Sequence, residues 1–278
     1  MPKSEPQPRD PRTGRRPSVG CAKTPPETAT CRGVQAPYSR APIMKRPAEG
    51  VPADVVLAAA GAGRRPAAGR FPLVLFSHGM SGSPERVADA LASWAAAGFV
   101  VAAPSYPYTK EHTPDYRRWD IVNQPDDARF VLNRVLALDM TPGEPLRGRI
   151  DSQHIAAVGH SAGGYTTTGL FVAGHDPRLR AGVVLSGWQA PGAFGGAPAR
   201  MLFLQGEADP VVPMAKSRAA YARVPWPKRY LLMRGVSHAN YLRPGDRGYR
   251  KMQHAVLGFL RRTLTGDQVG TDNYLAAD

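Results

Sequence analysis

Ser161 stands in Gly159-His160-Ser161-Ala162-Gly163-Gly164, a G-x-S-x-G motif, and two later turns carry Asp209 (Gly206-Glu207-Ala208-Asp209-Pro210) and His238 (Val236-Ser237-His238). A serine hydroxyl attacks a carbonyl poorly until an imidazole takes its proton, and the imidazole needs a carboxylate to hold its tautomer and orientation. Serine, acid and histidine in that chain order form one of the arrangements in which such a triad is built. The chemistry they would perform together is acyl transfer through a serine nucleophile. It also requires donors for the oxyanion. Phe76-Ser77-His78-Gly79-Met80-Ser81-Gly82 follows an apolar run, and its glycines let backbone amides turn toward the serine. The expected donors are the backbone N–H groups of Met80 and Ala162.

Other residues compete for these roles. Glu207 lies nearer the preceding strand than Asp209, but the Asp-Pro turn suits the acid better. His254 falls inside an amphipathic helix, while His112 and His175 lie upstream of the acid. His160 is read as packing around the turn, and Asp151 and Asp176 as turn or cap residues.

The elements that must position these groups follow from hydrophobic periodicity. Short apolar runs alternate with longer amphipathic ones, which predicts βαβ units and a mostly parallel sheet. Strands are expected at 54–59, 71–77, 99–103, 155–159, 181–186, 200–205 and 229–234, and helices at 84–97, 125–138, 162–173, 214–222 and 247–264. Ser83 reads as the cap of the first helix. On this pattern Ser161 occupies a strand-to-helix turn, and Asp209 and His238 follow the carboxyl ends of later strands, where ligand sites of open α/β sheets lie. Only residues 187–199 separate two strands where a lid could be inserted, so no large cap domain is expected.

Composition narrows the function classes. The 278 residues carry a net charge of +14, but residues 1–50 hold ten Lys/Arg against four acids, so nearly half of the excess lies in that segment. The remaining positive charge is scattered without interleaved aromatics, which argues against a nucleic-acid surface. Residues 1–50 also contain ten prolines and one aromatic, Tyr38, and read as a disordered tail. The catalytic domain is expected over 51–264, with a C-terminal tail at 265–278. Cys21 and Cys31 are the only cysteines, leaving no cysteine nucleophile or thiolate metal site in the domain. No apolar stretch is long enough to span a membrane, and no apolar leader follows the basic N-terminus, so the expected location is cytoplasmic. Secretion is the alternative if the N-terminus is misassigned. Oligomeric state is not set by the sequence.

The order H-G-x, G-H-S-x-G-G, G-x-x-D-P and S-H resembles the α/β-hydrolase superfamily over about 51–264. Residues 71–79, 91–104 and 124–132 are similar to the group of dienelactone-hydrolase-like proteins, platelet-activating-factor acetylhydrolases and bacterial cutinases. The resemblance implies an α/β-hydrolase fold with helices on both faces of the sheet. It also implies a carboxylic ester hydrolase that needs no cofactor or metal and acts on a small-molecule ester. Dienelactone hydrolases use a cysteine where this chain has Ser161, so their particular activity does not carry over. The cutinases carry an aromatic where Trp188 stands, together with a secretion signal and a C-terminal disulfide that this sequence lacks. Trp188, Tyr106 and Tyr108 are the expected substrate contacts, lining an aromatic mouth for short to medium acyl or aromatic esters. A peptidase or amidase on the same fold, and a catalytically silent binding protein, are the rival readings.

Overall fold

The computed structural model describes residues 67–267. The strand expected at 54–59 and the two tails expected before residue 51 and after residue 264 lie wholly or largely outside them. Among the described residues, six strands form one parallel sheet: β1 (Phe71–Ser77), β2 (Val100–Ala102), β3 (Ile150–His160), β4 (Leu179–Leu185), β5 (Arg200–Gly206) and β6 (Lys228–Met233), in the spatial order β2-β1-β3-β4-β5-β6. Among the described residues, four α-helices lie between strands, α1 (Ala88–Ala96), α2 (Gln124–Leu138), α3 (Ala162–Leu170) and α4 (Met214–Arg223), and α5 (Tyr249–Leu264) follows β6.

A strand turns alternate side chains to opposite faces, and β1 shows the consequence. Val74 and Phe76 join a core with Leu91 and Trp94 of α1 and Val256, Phe259 and Leu260 of α5. Leu73 and Leu75 join the opposite core with Leu132 of α2, Leu170 of α3 and Ala220 of α4. Both faces are therefore covered, which is why β1 reads as a continuous apolar run rather than an alternating one. This is the α/β-hydrolase architecture. No helix or strand lies between Leu185 and Arg200, so no cap domain is inserted there.

Several boundaries differ from expectation for identifiable reasons. β3 begins at Ile150 rather than at 155: Ile150 and Asp151 pair with Phe71 and Pro72, and residues 152–154 form an irregularity in β3 before Ile155 pairs with Leu73. The first predicted helix breaks at Val87 (φ −122°, ψ 19°) into a 3-10 turn, Glu85–Val87, followed by α1. Ser83 does not cap it: its hydroxyl donates to Glu111 at 2.5 Å. α3 stops at Leu170, beyond which Val172 bridges to Phe194. Among the described residues, no helix is long and apolar enough to cross a membrane, and no group of three or more His, Cys, Asp or Glu is placed to hold a metal.

Candidate active site

Because all strands run parallel, their carboxyl ends share one edge, and Leu185 and Leu204 sit beside each other there just as Gly206 and Met233 do. Ser161 leaves that edge at the junction of β3 and α3. Its backbone is left-handed, φ 56° and ψ −117°, a strained region for a residue with a Cβ. Its N–H donates to Leu185 O at 2.8 Å. The turn is possible because glycines flank it: a Cβ on Gly159 would lie 2.0 Å from Gly163 O, and one on Gly163 would lie 1.9 Å from Ser77 O. The same closeness brings the loop after β1 onto the serine, since a Cβ on Gly79 would be 3.1 Å from Ser161 Cβ. Among the described residues, the amides of Met80 and Ala162 donate to no acceptor, and Ser161 Oγ has no hydrogen-bond partner, His238 included.

His238 and Asp209 meet across two loops. His238 Nδ1–H donates to Asp209 Oδ2 at 2.8 Å, and the side chains are 16% and 1% exposed. A carboxylate only accepts, so the proton of this bond is on Nδ1, which leaves Nε2 as the ring nitrogen turned away from Asp209. Gln205 Nε2 also donates to Oδ2, at 2.9 Å, while Oδ1 takes the amides of Val211 (2.8 Å) and Val212 (2.9 Å). Burial pushes the Asp209 carboxyl up, but the His238 hydrogen bond and those two amides outweigh it and hold it below the ordinary carboxylate range. Glu207 is elsewhere: it accepts the Gly235 amide at 3.0 Å.

The loop carrying Met80 is braced from beneath. His78 Nδ1–H donates to Gly79 O at 2.8 Å, and Nε2 accepts the Tyr106 amide at 3.1 Å. Burial lowers the His78 pKa, consistent with that neutral tautomer. Tyr106, expected from the sequence as a substrate contact, is turned into the interior. It is 1% exposed, its hydroxyl pairs with Ser77 Oγ at 2.8 Å, and its ring leans on His78 with centroids 5.2 Å apart. Tyr108 is half-buried under the Arg117 guanidinium, 4.5 Å above its ring, and takes no part in the apolar cluster beside the serine.

That cluster consists of Ile121, Ala162, Tyr165 and Ala190, with Met80 and Trp188 packed against it and partly exposed. Trp188 contacts Tyr165 with ring centroids 5.8 Å apart. Ile121, Tyr165 and Gln205 were not singled out in the sequence. Only Gln205 left a signal, as a polar residue directly after the apolar run 201–204 of β5, four positions before Asp209. His254 is exposed on α5, His112 is exposed beside Glu111, and His175 bonds Gly195 O at 2.8 Å. Asp151 lies within β3, where it accepts the Gln153 amide and binds His154 at 2.7 Å, and Asp176 pairs with Arg178.

A family model described as PET hydrolase-like matches residues 79–275, a span that includes the Met80 loop, the Ser161 turn, Asp209 and His238. The chain belongs to the PET hydrolase-like family. Over 121 residues this PET hydrolase-like chain is also 31% identical to Cutinase est2 of Thermobifida alba, a match covering 42% of the chain. The matched stretch spans about two fifths of that relative's length (40%).

Proposed function

We propose that this PET hydrolase-like chain is a serine carboxylic ester hydrolase. The observation that carries the reading is Ser161 held in a left-handed strand-to-helix turn at the same sheet edge as the His238–Asp209 pair. Ser161 Oγ attacks the ester carbonyl while its proton passes to His238 Nε2, and Asp209 steadies the imidazolium that forms. The carbonyl oxygen becomes an oxyanion facing the amides of Met80 and Ala162, each donor contributing about 2.7–4 kcal/mol to lowering the barrier. Collapse expels the alcohol, which takes the proton from Nε2. Water then attacks the acyl-enzyme by the same route and frees the acid. Family membership and the cutinase similarity support ester chemistry, and Met80, Tyr165 and Trp188 offer an apolar wall for a short to medium acyl or aromatic group.

The test is Ser161→Ala, assayed on p-nitrophenyl esters of rising acyl length alongside a fluorophosphonate probe. Turnover is expected to fall by about 10⁶-fold, the scale of nucleophile removal in serine hydrolases, and labelling to vanish, with the far-UV spectrum unchanged. Retained labelling would place the nucleophile elsewhere.

A further inference from the structure

His160 is the last residue of β3 and is only 7% exposed. It touches His238 in two ways. Its Nε2–H donates to the His238 main-chain carbonyl at 2.9 Å, a tautomer fixed by the carbonyl's being an acceptor only. Its ring also lies on the His238 ring, with centroids 4.7 Å apart and planes at 47°. Tyr241 closes another side of the His160 ring, edge-on at 5.9 Å, and a Cβ on Gly79 would come within 3.1 Å of its Nδ1. The ring is thus boxed in by the His238 loop and the Met80 loop. Burial, followed by the nearness of His238, lowers its pKa to about 4, so at neutral pH it is an uncharged donor.

We propose that His160 is a positioning residue that seats the His238 imidazole against Ser161. The proposal rests on His238 being the base of the hydrolase reading. Asp209 grips only Nδ1, and a ring held at one atom can still swing about that bond. His238 also sits in an irregular segment, 234–248, joining β6 to α5. His160 holds that segment at the His238 carbonyl, and its tilted ring contact limits the swing of the His238 ring. Since His160 is bonded to Ser161 in the chain, the distance between nucleophile and base is set by the nucleophile's own strand rather than through two loops. A 1 Å misplacement of a reacting group can cost about 100-fold in rate, so the anchor has a kinetic consequence.

The experiment compares the full chain with His160→Gln, His160→Met and Ser161→Ala. Glutamine places an N–H donor near the position of Nε2, whereas methionine fills similar volume without one. With p-nitrophenyl acetate and butyrate, His160→Met is expected to lose about 10- to 100-fold in kcat with KM within about threefold, and His160→Gln to stay within about threefold of the original kcat. The downfield proton resonance of the His238 Nδ1–H bond to Asp209 should persist in His160→Gln and broaden in His160→Met. Should methionine prevent folding, His160→Asn takes its place, because its shorter amide stops short of the carbonyl. Undiminished kcat in the donor-less variant, or equal losses in it and His160→Gln, would overturn the proposal. A starting chain without Ser161-dependent turnover would overturn the hydrolase reading instead, and the Nδ1–H resonance alone would then decide whether His160 seats the ring.

Discussion

Ser161 is held at φ 56° by hydrogen bonds on both sides, its N–H to Leu185 O and its carbonyl to the Tyr165 amide. For a residue with a Cβ this conformation costs about 1–3 kcal/mol. Ser161→Gly is therefore expected to be more stable than Ser161→Ala by roughly 1 kcal/mol in urea titrations, the reverse of the usual glycine penalty. Equal stability would show that the turn carries no strain. Tyr106 poses a different residue-level question, since its hydroxyl is the buried partner of Ser77. Removing it in Tyr106→Phe leaves the Ser77 hydroxyl unpaired and should cost about 1–3 kcal/mol while leaving relative rates across acyl lengths unchanged. A change in acyl preference with little loss of stability would return Tyr106 to the substrate surface.

Between β3 and α3 the chain approaches β1 so closely that main-chain atoms touch where a side chain would normally stand. Gly163→Ala would set a Cβ 1.9 Å from the Ser77 carbonyl, and no rotamer change can relieve a contact with backbone. A loss of at least about 3 kcal/mol is expected from thermal or urea unfolding, at the severe end for an added methyl group. A stable variant with full activity would mean that the loop after β1 is free to move. The segment following β4 contributes Trp188 to the same region, packed on Tyr165 but partly open. A ring so placed can cover an acyl or aromatic group, an apolar contact worth about 1–3 kcal/mol. Trp188→Ala should then weaken hydrolysis of longer or aromatic esters far more than of acetates; a uniform loss on all substrates would make the ring purely structural.

At the scale of the whole molecule, folding buries two neutral histidines, His78 and His160, whose pKa values both lie below 6.5, that of His160 at about 4. The unfolded chain takes up a proton at each site where the folded chain does not. Stability must therefore rise with pH through this window and fall as pH drops from 6.5 toward 4. The limiting slope for His160 is about 1.4 kcal/mol per pH unit. Asp209 and Asp139 are depressed carboxylates despite their burial: hydrogen bonds from His238 hold the first, and the Ile150 amide and Arg70 the second. Their contribution is complete above the ordinary carboxylate pKa and is lost as pH falls through their folded values, extending the decline to lower pH. Urea unfolding of the full chain at pH 7, 5.5 and 4.5 should show this loss, and His160→Gln should flatten it. A pH-independent midpoint down to pH 5 would contradict a neutral, buried His160.

Much of this protein is legible along the chain because the relevant signals are local. Apolar runs such as 71–77 and 200–205 mark strands buried on both faces, and G-H-S-A-G-G between a strand and a helix marks the turn that raises a serine from the sheet. Parallel strands align their carboxyl ends, so the order of motifs already places the loops of Ser161, Asp209 and His238 on one edge. Packing decided the rest. Glu207 and Asp209 are two residues apart in one loop, and only the path of that loop turns Asp209 to His238 and Glu207 to the Gly235 amide. Tyr106 looks from its neighbours like a surface aromatic, but the Ser77 hydroxyl, 29 positions earlier, draws it inward. His160 reads as filler until its partner is seen, and that partner is 78 residues away. Periodicity and motif spacing describe a residue's own segment, whereas the environment of a buried polar ring is made by segments that only folding brings together.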